Sequence, residues 1–214
     1  STGIAGIGEK VNIVKDTLFP IELMKTTEYK ETILKNKNIC LLGHNRLATK
    51  GTINKKNAHP FMYKHIVLIH NGTLNEHIDN EKIKTETDSE SLCIGIAEKG
   101  IEKVWNEMDG DAAIIFFNLK NNSLNFISNG KRPITWAYTK DMKSMFIASE
   151  AHFIKFAIIH KNIKLSKEQI WKPDDHDLWT FKINQKTKEI NEQSISLKPK
   201  EEKKNFPISY GSNW

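Results

Sequence analysis

Four polar segments carry residue types that could converge on one chemical site. They are Gly43-His-Asn-Arg-Leu-Ala-Thr-Lys-Gly51, Asn57-Ala-His-Pro-Phe61, His70-Asn-Gly-Thr-Leu-Asn75 and Thr85-Glu-Thr-Asp-Ser-Glu90. Arg46 offers a planar guanidinium fork that matches a carboxylate. Asn71 and Gly72 offer a side-chain amide and a backbone N–H, two donors able to point at one developing oxyanion. Arg46 and Asp88 together suit a zwitterionic amino acid, one for its carboxylate and one for its ammonium. Each residue also has a plainer reading. An Asn-Gly pair suits a hairpin turn, Asp88 suits a helix cap, and an arginine is most often a surface ion-pair residue. His59, His65, His70 and His77 do not have the spacing of a metal site. They read as hydrogen-bonding or surface residues, and neither a metal nor a cofactor is expected.

Each of these segments borders a strand or helix end, so the surrounding elements decide whether they meet. Strand-like stretches with Gly, Asn or Asp punctuation occupy 3–7, 38–42, 65–70, 111–118, 123–128, 134–138, 145–148, 178–183 and 189–196. Helical periodicity occupies 27–36, with Tyr29, Ile33 and Leu34 on one face. It recurs over 88–99, with Leu92, Ile96 and Ala97, and over 150–160, with Phe153, Ile154, Ala157 and Ile158. Thr87, Asp88 or Ser89 can cap the second helix. Many strands with a few helices between them predict layered sheets with helices outside.

The bulk properties fit that picture. The chain has 214 residues, 38% hydrophobic and 27% charged, which excludes a disordered chain, a collagen and a coiled coil. A globular chain of this length buries roughly 70% or more of its unfolded surface, so a single core is sufficient. The expected organisation is one domain over 1–197 and a basic, aromatic tail over 198–214. The net charge of 32 − 26 = +6 permits nucleic-acid contact without predicting it, and no nucleic acid is expected as a partner. Cys40 and Cys93 lie in apolar settings and read as buried free thiols in a reducing compartment, the cytoplasm. Apolar runs such as 66–69 are far too short to span a bilayer, and the first residues lack a signal-peptide pattern. Trp105, Trp136, Trp171 and Trp179 read as packing residues.

The ordered set of motifs resembles the class II glutamine amidotransferases, the N-terminal-nucleophile type. The match runs from Gly3-Ile-Ala-Gly-Ile7 through the four polar segments to Asp109-Gly110, Gly130-Lys-Arg-Pro133 and Phe146-Ile-Ala-Ser-Glu150. The resemblance implies an α+β fold, a four-layer αββα sandwich. It also implies hydrolysis of the glutamine side-chain amide to glutamate and ammonia. In that scheme Arg46 binds the α-carboxylate of glutamine and Asp88 its α-ammonium. Asn71 and Gly72 form the oxyanion hole. Thr49, His59 and His70 belong to the substrate-binding surroundings.

The chain departs from the family at its start. The family begins with a cysteine whose own α-amine is the general base, a group that titrates near 8 and can take a proton near neutral pH. Here the first residues are Ser1-Thr2-Gly3. Ser1 stands in for the cysteine, naturally or by replacement, or it is a cloning remnant before a Thr2 nucleophile, or catalysis is lost. Leu47 and Lys50 also differ from residues found in several relatives. Many family members continue into a synthase domain, so a separate ammonia-accepting synthase subunit is the expected partner. Two alternatives remain open: another amide hydrolase of the same fold, and a catalytically inactive binding or structural module.

Overall fold

A computed structural model describes residues 1–47, 51–78, 84–184, 187 and 189–198. The chain opens with β1 (Thr2–Ile7) and β2 (Val11–Asp16), followed by short helices α1 (Pro20–Leu23) and α2 (Thr27–Tyr29) and a π-helical turn over Lys30–Leu34. Next come β3 (Cys40–Asn45), β4 (Phe61–Tyr63), β5 (Ile66–Leu74), α3 (Asp88–Lys99) and α4 (Ile101–Glu107). The remainder is β6 (Gly110–Asn118), β7 (Ser123–Ser128), β8 (Thr135–Tyr138), β9 (Met145–Ala148), α5 (Ala151–Lys161), β10 (Asp177–Ile183) and β11 (Ile190–Ser196). Three antiparallel sheets result, in the orders β2-β1-β3, β11-β10-β7-β6-β5-β4 and β8-β9.

Period-two alternation explains how these sheets layer. Along β5, Ile66 and Leu68 pack with Leu92, Ile96 and Val104 of α3 and α4. Their neighbours Val67 and Ile69 face the other way, onto Ala5 and Ile7 of β1 and Leu42 of β3. The middle of the six-stranded sheet is therefore buried on both faces, and the apolar parts of β5 and β6 read as continuous runs rather than as alternating ones. Beside that contact, Ile134, Trp136 and Tyr138 of the small β8-β9 sheet pack on Ala113, Phe126 and Phe181. The outermost layer is helical. Leu23, Tyr29 and Ile33 cover Val14 of β2, and Ile154 of α5 covers Ala137 of β8. This is the four-layer αββα sandwich.

The periodic reading of 27–36 and 150–160 needs two corrections. Tyr29 and Ile33 are buried, but Leu34 is exposed, because the π turn carries it off the stripe that an α-helical period would have kept. On α5, Ile154 is buried and Phe153 is exposed. That helix is apolar all round, so periodicity alone could not choose its inner face. The tryptophans pack as expected: Trp105 of α4 lies in the core, and Trp136, Trp171 and Trp179 form one aromatic cluster. Leu197 packs against the core, and residues 199–214 of the expected tail lie outside the described residues.

Candidate active site

β1 fixes the first residue. Ser1 extends the β1–β3 ladder by one pair. Its carbonyl accepts from the Arg46 N–H at 2.7 Å, and its α-ammonium donates to the Arg46 carbonyl at 3.2 Å. Side chains alternate along a strand. Ala5 and Ile7 face the six-stranded sheet, and Ile4 packs on the opposite, helical side. Continued to the end of the strand, this alternation turns Ser1 and Gly3 inward and Thr2 outward. The Ser1 hydroxyl is buried and has no hydrogen-bond partner among the described residues. Gly3 is required by close approach, since a Cβ there would lie 2.1 Å from the His59 carbonyl oxygen.

β5 carries Asn71 and Gly72. Asn71 shares the parity of Val67 and Ile69, which face β1 and β3. His70 shares the parity of Leu68 and reaches α3, its Nδ1 3.0 Å from Ser89 Oγ. Gly72 pairs with Ala112, and a Cβ at that position would lie 1.9 Å from the Asp111 carbonyl oxygen. Only a glycine lets the two strands approach this closely with a backbone N–H beside Asn71.

The start of α3 supplies the carboxylate. Thr87, not Asp88, is the cap, accepting from the Glu90 N–H at 3.2 Å. Asp88 is the first helical residue and is buried. Its Oδ2 accepts from the Leu74 N–H at 2.8 Å and its Oδ1 from the Ser89 N–H at 2.9 Å. A carboxylate has about four lone-pair sites, so two backbone donors leave capacity for an ammonium. Arg46 follows β3, its Nη1 3.5 Å from the Thr52 carbonyl. Burial lowers its pKa, and the nearby Asp88 charge opposes that shift.

Arg46, His59, His70, Asn71, Gly72 and Asp88 line one cavity of about 170 Å³. Residues picked from four separate segments thus meet at the end where both sheets adjoin α3. Thr49 lies outside the described residues. His44, Ser89 and Arg132 also line the cavity; from sequence Ser89 was read only as a possible helix cap, and His44 and Arg132 carried no role. Each sits inside a motif already singled out, Gly43–Gly51, Thr85–Glu90 or Gly130–Pro133, so position in the motif was the signal.

Two braces hold the surrounding loop. Lys15 of β2 donates to the carbonyls of Lys56, Ala58 and Pro60 at 3.0, 2.8 and 3.3 Å. The buried Asn57 amide donates to Glu86 Oε2 at 2.8 Å, tying the loop to the segment before α3. His59 rides on this loop, 3% exposed, with both ring nitrogens lacking a partner among the described residues. Its ring lies 4.1 Å from that of His44. Burial first, and then neighbouring positive charge, pushes His59 well below its ordinary pKa and His44 down to about 4. Burial also lowers His70, against the pull of Asp88. The cluster is neutral at pH 7. Among the described residues no group of three or more His, Cys, Asp or Glu is placed to hold a metal ion. Burial pushes the thiols of Cys40 and Cys93 up to about 12, so neither supplies a thiolate at neutral pH.

Residues 44–155, more than half of the chain, match the family model of the glutamine amidotransferase domain. The chain belongs to that family. It is of the class II, N-terminal-nucleophile type. Among curated proteins this glutamine amidotransferase domain is similar to the glutamine–fructose-6-phosphate aminotransferase (isomerizing) of Bartonella henselae. The two are 27% identical over 127 residues, which cover 51% of this chain and 21% of that protein. The enzyme of the same name from Helicobacter pylori is 25% identical over 221 residues, covering 83% of this chain and 36% of the other. Among solved structures, the glutamine phosphoribosylpyrophosphate amidotransferase from B. subtilis, complexed with ADP and GMP, superposes with a TM-score of 0.65. It is 19% identical, covering 92% of this chain and 42% of that one. That likeness carries the fold. The amidotransferase domain described here therefore spans well under two thirds of the length of each of these proteins.

Proposed function

We propose that the chain binds glutamine and hydrolyses its side-chain amide, releasing ammonia for an acceptor enzyme. One observation carries the reading. Arg46, Asp88, Asn71 and Gly72 line a single amino-acid-sized cavity, and Ser1, whose buried hydroxyl has no partner among the described residues, is paired through its backbone with Arg46 on the cavity wall. Arg46 takes the α-carboxylate and Asp88 the α-ammonium. The side-chain amide then points toward Asn71 and Gly72.

Ser1 rather than Thr2 is the nucleophile, because the pleat of β1 turns Thr2 to the helical side. Where Ser1 is the first residue its α-amine serves as the base and no other is needed. The amine takes the hydroxyl proton as Oγ bonds to the amide carbon. The oxyanion accepts from the Asn71 side-chain N–H and the Gly72 backbone N–H. The C–N bond breaks, the proton passes to the departing ammonia, and water splits the ester to give glutamate. A hydroxyl is a weaker nucleophile than the thiolate of a cysteine, so the serine form turns over slowly. The free thiols of Cys40 and Cys93 suit a reducing cytoplasm.

Calorimetry with glutamine tests the binding half. Arg46→Ala removes a charged partner, a loss of about 2–5 kcal/mol that reduces binding at least thirtyfold. The catalytic half is tested with Ser1→Cys, which releases ammonia from glutamine and falls silent when one residue is added before it. Undiminished glutamine binding by Arg46→Ala overturns the site. Glutamine binding without any ammonia release from Ser1→Cys makes the chain a binding module on an amidotransferase fold.

A further inference from the structure

Helix α5 is covered on one side only. Ile154 packs on Ala137 and Leu165, yet Phe156 and Ile159 of the same helix stay 65% and 75% exposed. Asn162, in the left-handed region at φ 49°, ends α5 and turns the chain back beside it. The return leaves a groove of about 1050 Å³ between Ala151, Lys155 and Ile158, on one stripe of α5, and residues 163–170. Its far wall is pinned in place. The Ile163 N–H donates to the Ile158 carbonyl at 2.9 Å, and the Lys140 N–H to the Lys164 carbonyl at 2.8 Å.

Ile158, Leu165 and Ile170 give the groove an apolar floor. Among the described residues every charged side chain that lines it is a lysine: Lys140, Lys155, Lys164 and Lys167. The surrounding sequence has the same bias. Residues 139–172 hold seven Lys and three Asp or Glu, so 7 − 3 = +4 of the chain's net +6 lies there. Two of the three acids are engaged elsewhere. Asp141 accepts from the Thr139 hydroxyl at 2.6 Å and the Lys143 N–H at 3.2 Å, and Glu150 lies 3.3 Å from His152. Four ammonium groups around an apolar floor set up a positive field that favours an anionic partner.

Charge and shape together select the occupant. A second copy would set lysine against lysine, and like charges face to face oppose association. A flat bilayer could take Phe156 and Ile159 but would leave the concave floor beside them unfilled. An α-helix, about 10–12 Å across, can lay one apolar stripe into a groove and carry carboxylates on its flanks. We propose that this groove docks an acidic amphipathic helix of a partner protein. Its apolar side chains rest on Ile158, Leu165 and Ile170, and its carboxylates lie beside Lys140, Lys155, Lys164 and Lys167. None of these residues lines the cavity that holds Arg46 and Asp88, so the proposal stands apart from the glutamine reading.

Fluorescence anisotropy with a labelled synthetic helix tests this. The probe carries leucine at i, i+3, i+4 and i+7 and glutamate elsewhere, and its counterpart has lysine in place of glutamate. The glutamate helix should bind the chain and the lysine helix should not, and added salt should weaken the binding. Lys155 and Lys164 are exposed and stand on opposite walls. Lys155→Glu with Lys164→Glu should leave the melting curve close to the parent's and weaken the glutamate helix by about tenfold or more, because each reversal turns attraction into repulsion. Ile158→Ala removes part of the floor and should weaken it roughly tenfold. The proposal is wrong if the glutamate helix does not bind, if the two helices bind equally, or if the charge-reversed variant binds as well as the parent. Co-sedimentation with phosphatidylserine–phosphatidylcholine vesicles in place of helix binding would make this a membrane-facing surface. A dimer in analytical ultracentrifugation that Ile159→Glu abolishes would make it a self-association surface. Either result overturns the docked helix.

Discussion

Lowering the pH should unfold this domain through its neutral histidine cluster, and His44 sets the magnitude. Its pKa falls from 6.5 to about 4, by burial first and then by the neighbouring His70, Arg46 and N-terminal charges. A group with a depressed folded pKa binds its proton more readily in the unfolded chain. The stability it contributes is complete above 6.5 and is lost as pH falls from there toward 4. At pH 5 an unfolded histidine is about 97% protonated and the folded His44 about 10%, a linkage of about 2 kcal/mol. His44 is only partly shielded from solvent, so this is an upper value. It corresponds to a fall in Tm of about 4–8 °C for a domain of this size. His59 and His70 shift in the same direction and steepen the profile. Urea unfolding at pH 7, 6 and 5 on the parent and on His44→Gln isolates the term, because carboxylates common to both proteins cancel. The variant should lose about 2 kcal/mol less between pH 7 and 5. Equal losses in the two proteins would show that His44 titrates normally and that the cluster is not held neutral by the fold.

Two further substitutions probe the geometry. Gly72→Ala places a Cβ 1.9 Å from the Asp111 carbonyl. It should cost about 1–3 kcal/mol by overpacking and reduce glutamine binding, read by thermal melting and calorimetry together; an unchanged melting curve would disprove the close approach. Asp88→Asn keeps one oxygen for a backbone amide but turns an N–H toward the other. Glutamine affinity should fall at least tenfold and stability by about 1–3 kcal/mol, and retained affinity would exclude Asp88 as the ammonium partner.

The sequence was most legible where local pattern and tertiary role agree. Strands β7 and β9 and helix α3 fall where periodicity placed them, and α3 also has a capping threonine and a glycine after its end. Strand β2 was missed because only Val14 of its six residues is fully buried, so its pattern is weak. Helix α4 was missed although Ile101, Val104 and Trp105 have helical spacing, because Gly100 reads as a terminus rather than as a junction between two helices. Type and motif picked out Arg46, His59, His70, Asn71, Gly72 and Asp88, which line one cavity. What could not be read was their orientation. The choice between Ser1 and Thr2 depends on which face of β1 is inward, and that follows from the packing of Ile4, Ala5 and Ile7 on different layers. His44, Ser89 and Arg132 were given no place in the site because membership of a motif does not tell which of its side chains face a cavity.

The same strand carries core and chemistry, and this couples them. β5 sends Ile66 and Leu68 to the helices and Val67 and Ile69 to the opposite sheet. The next two residues continue the alternation, His70 toward Ser89 and Asn71 toward β1. Leu74 then closes the strand by donating its N–H to Asp88. A one-residue slip of β5 against β6 would exchange the faces of His70 and Asn71 and withdraw the Leu74 amide from Asp88. It would also turn four apolar side chains into the wrong layers, an error far costlier than any single contact in the site. Asn71, Gly72 and Asp88, the proposed oxyanion donors and ammonium partner, are therefore held in register by the apolar alternation upstream of them, and the geometry of the cavity is as robust as the packing of the six-stranded sheet.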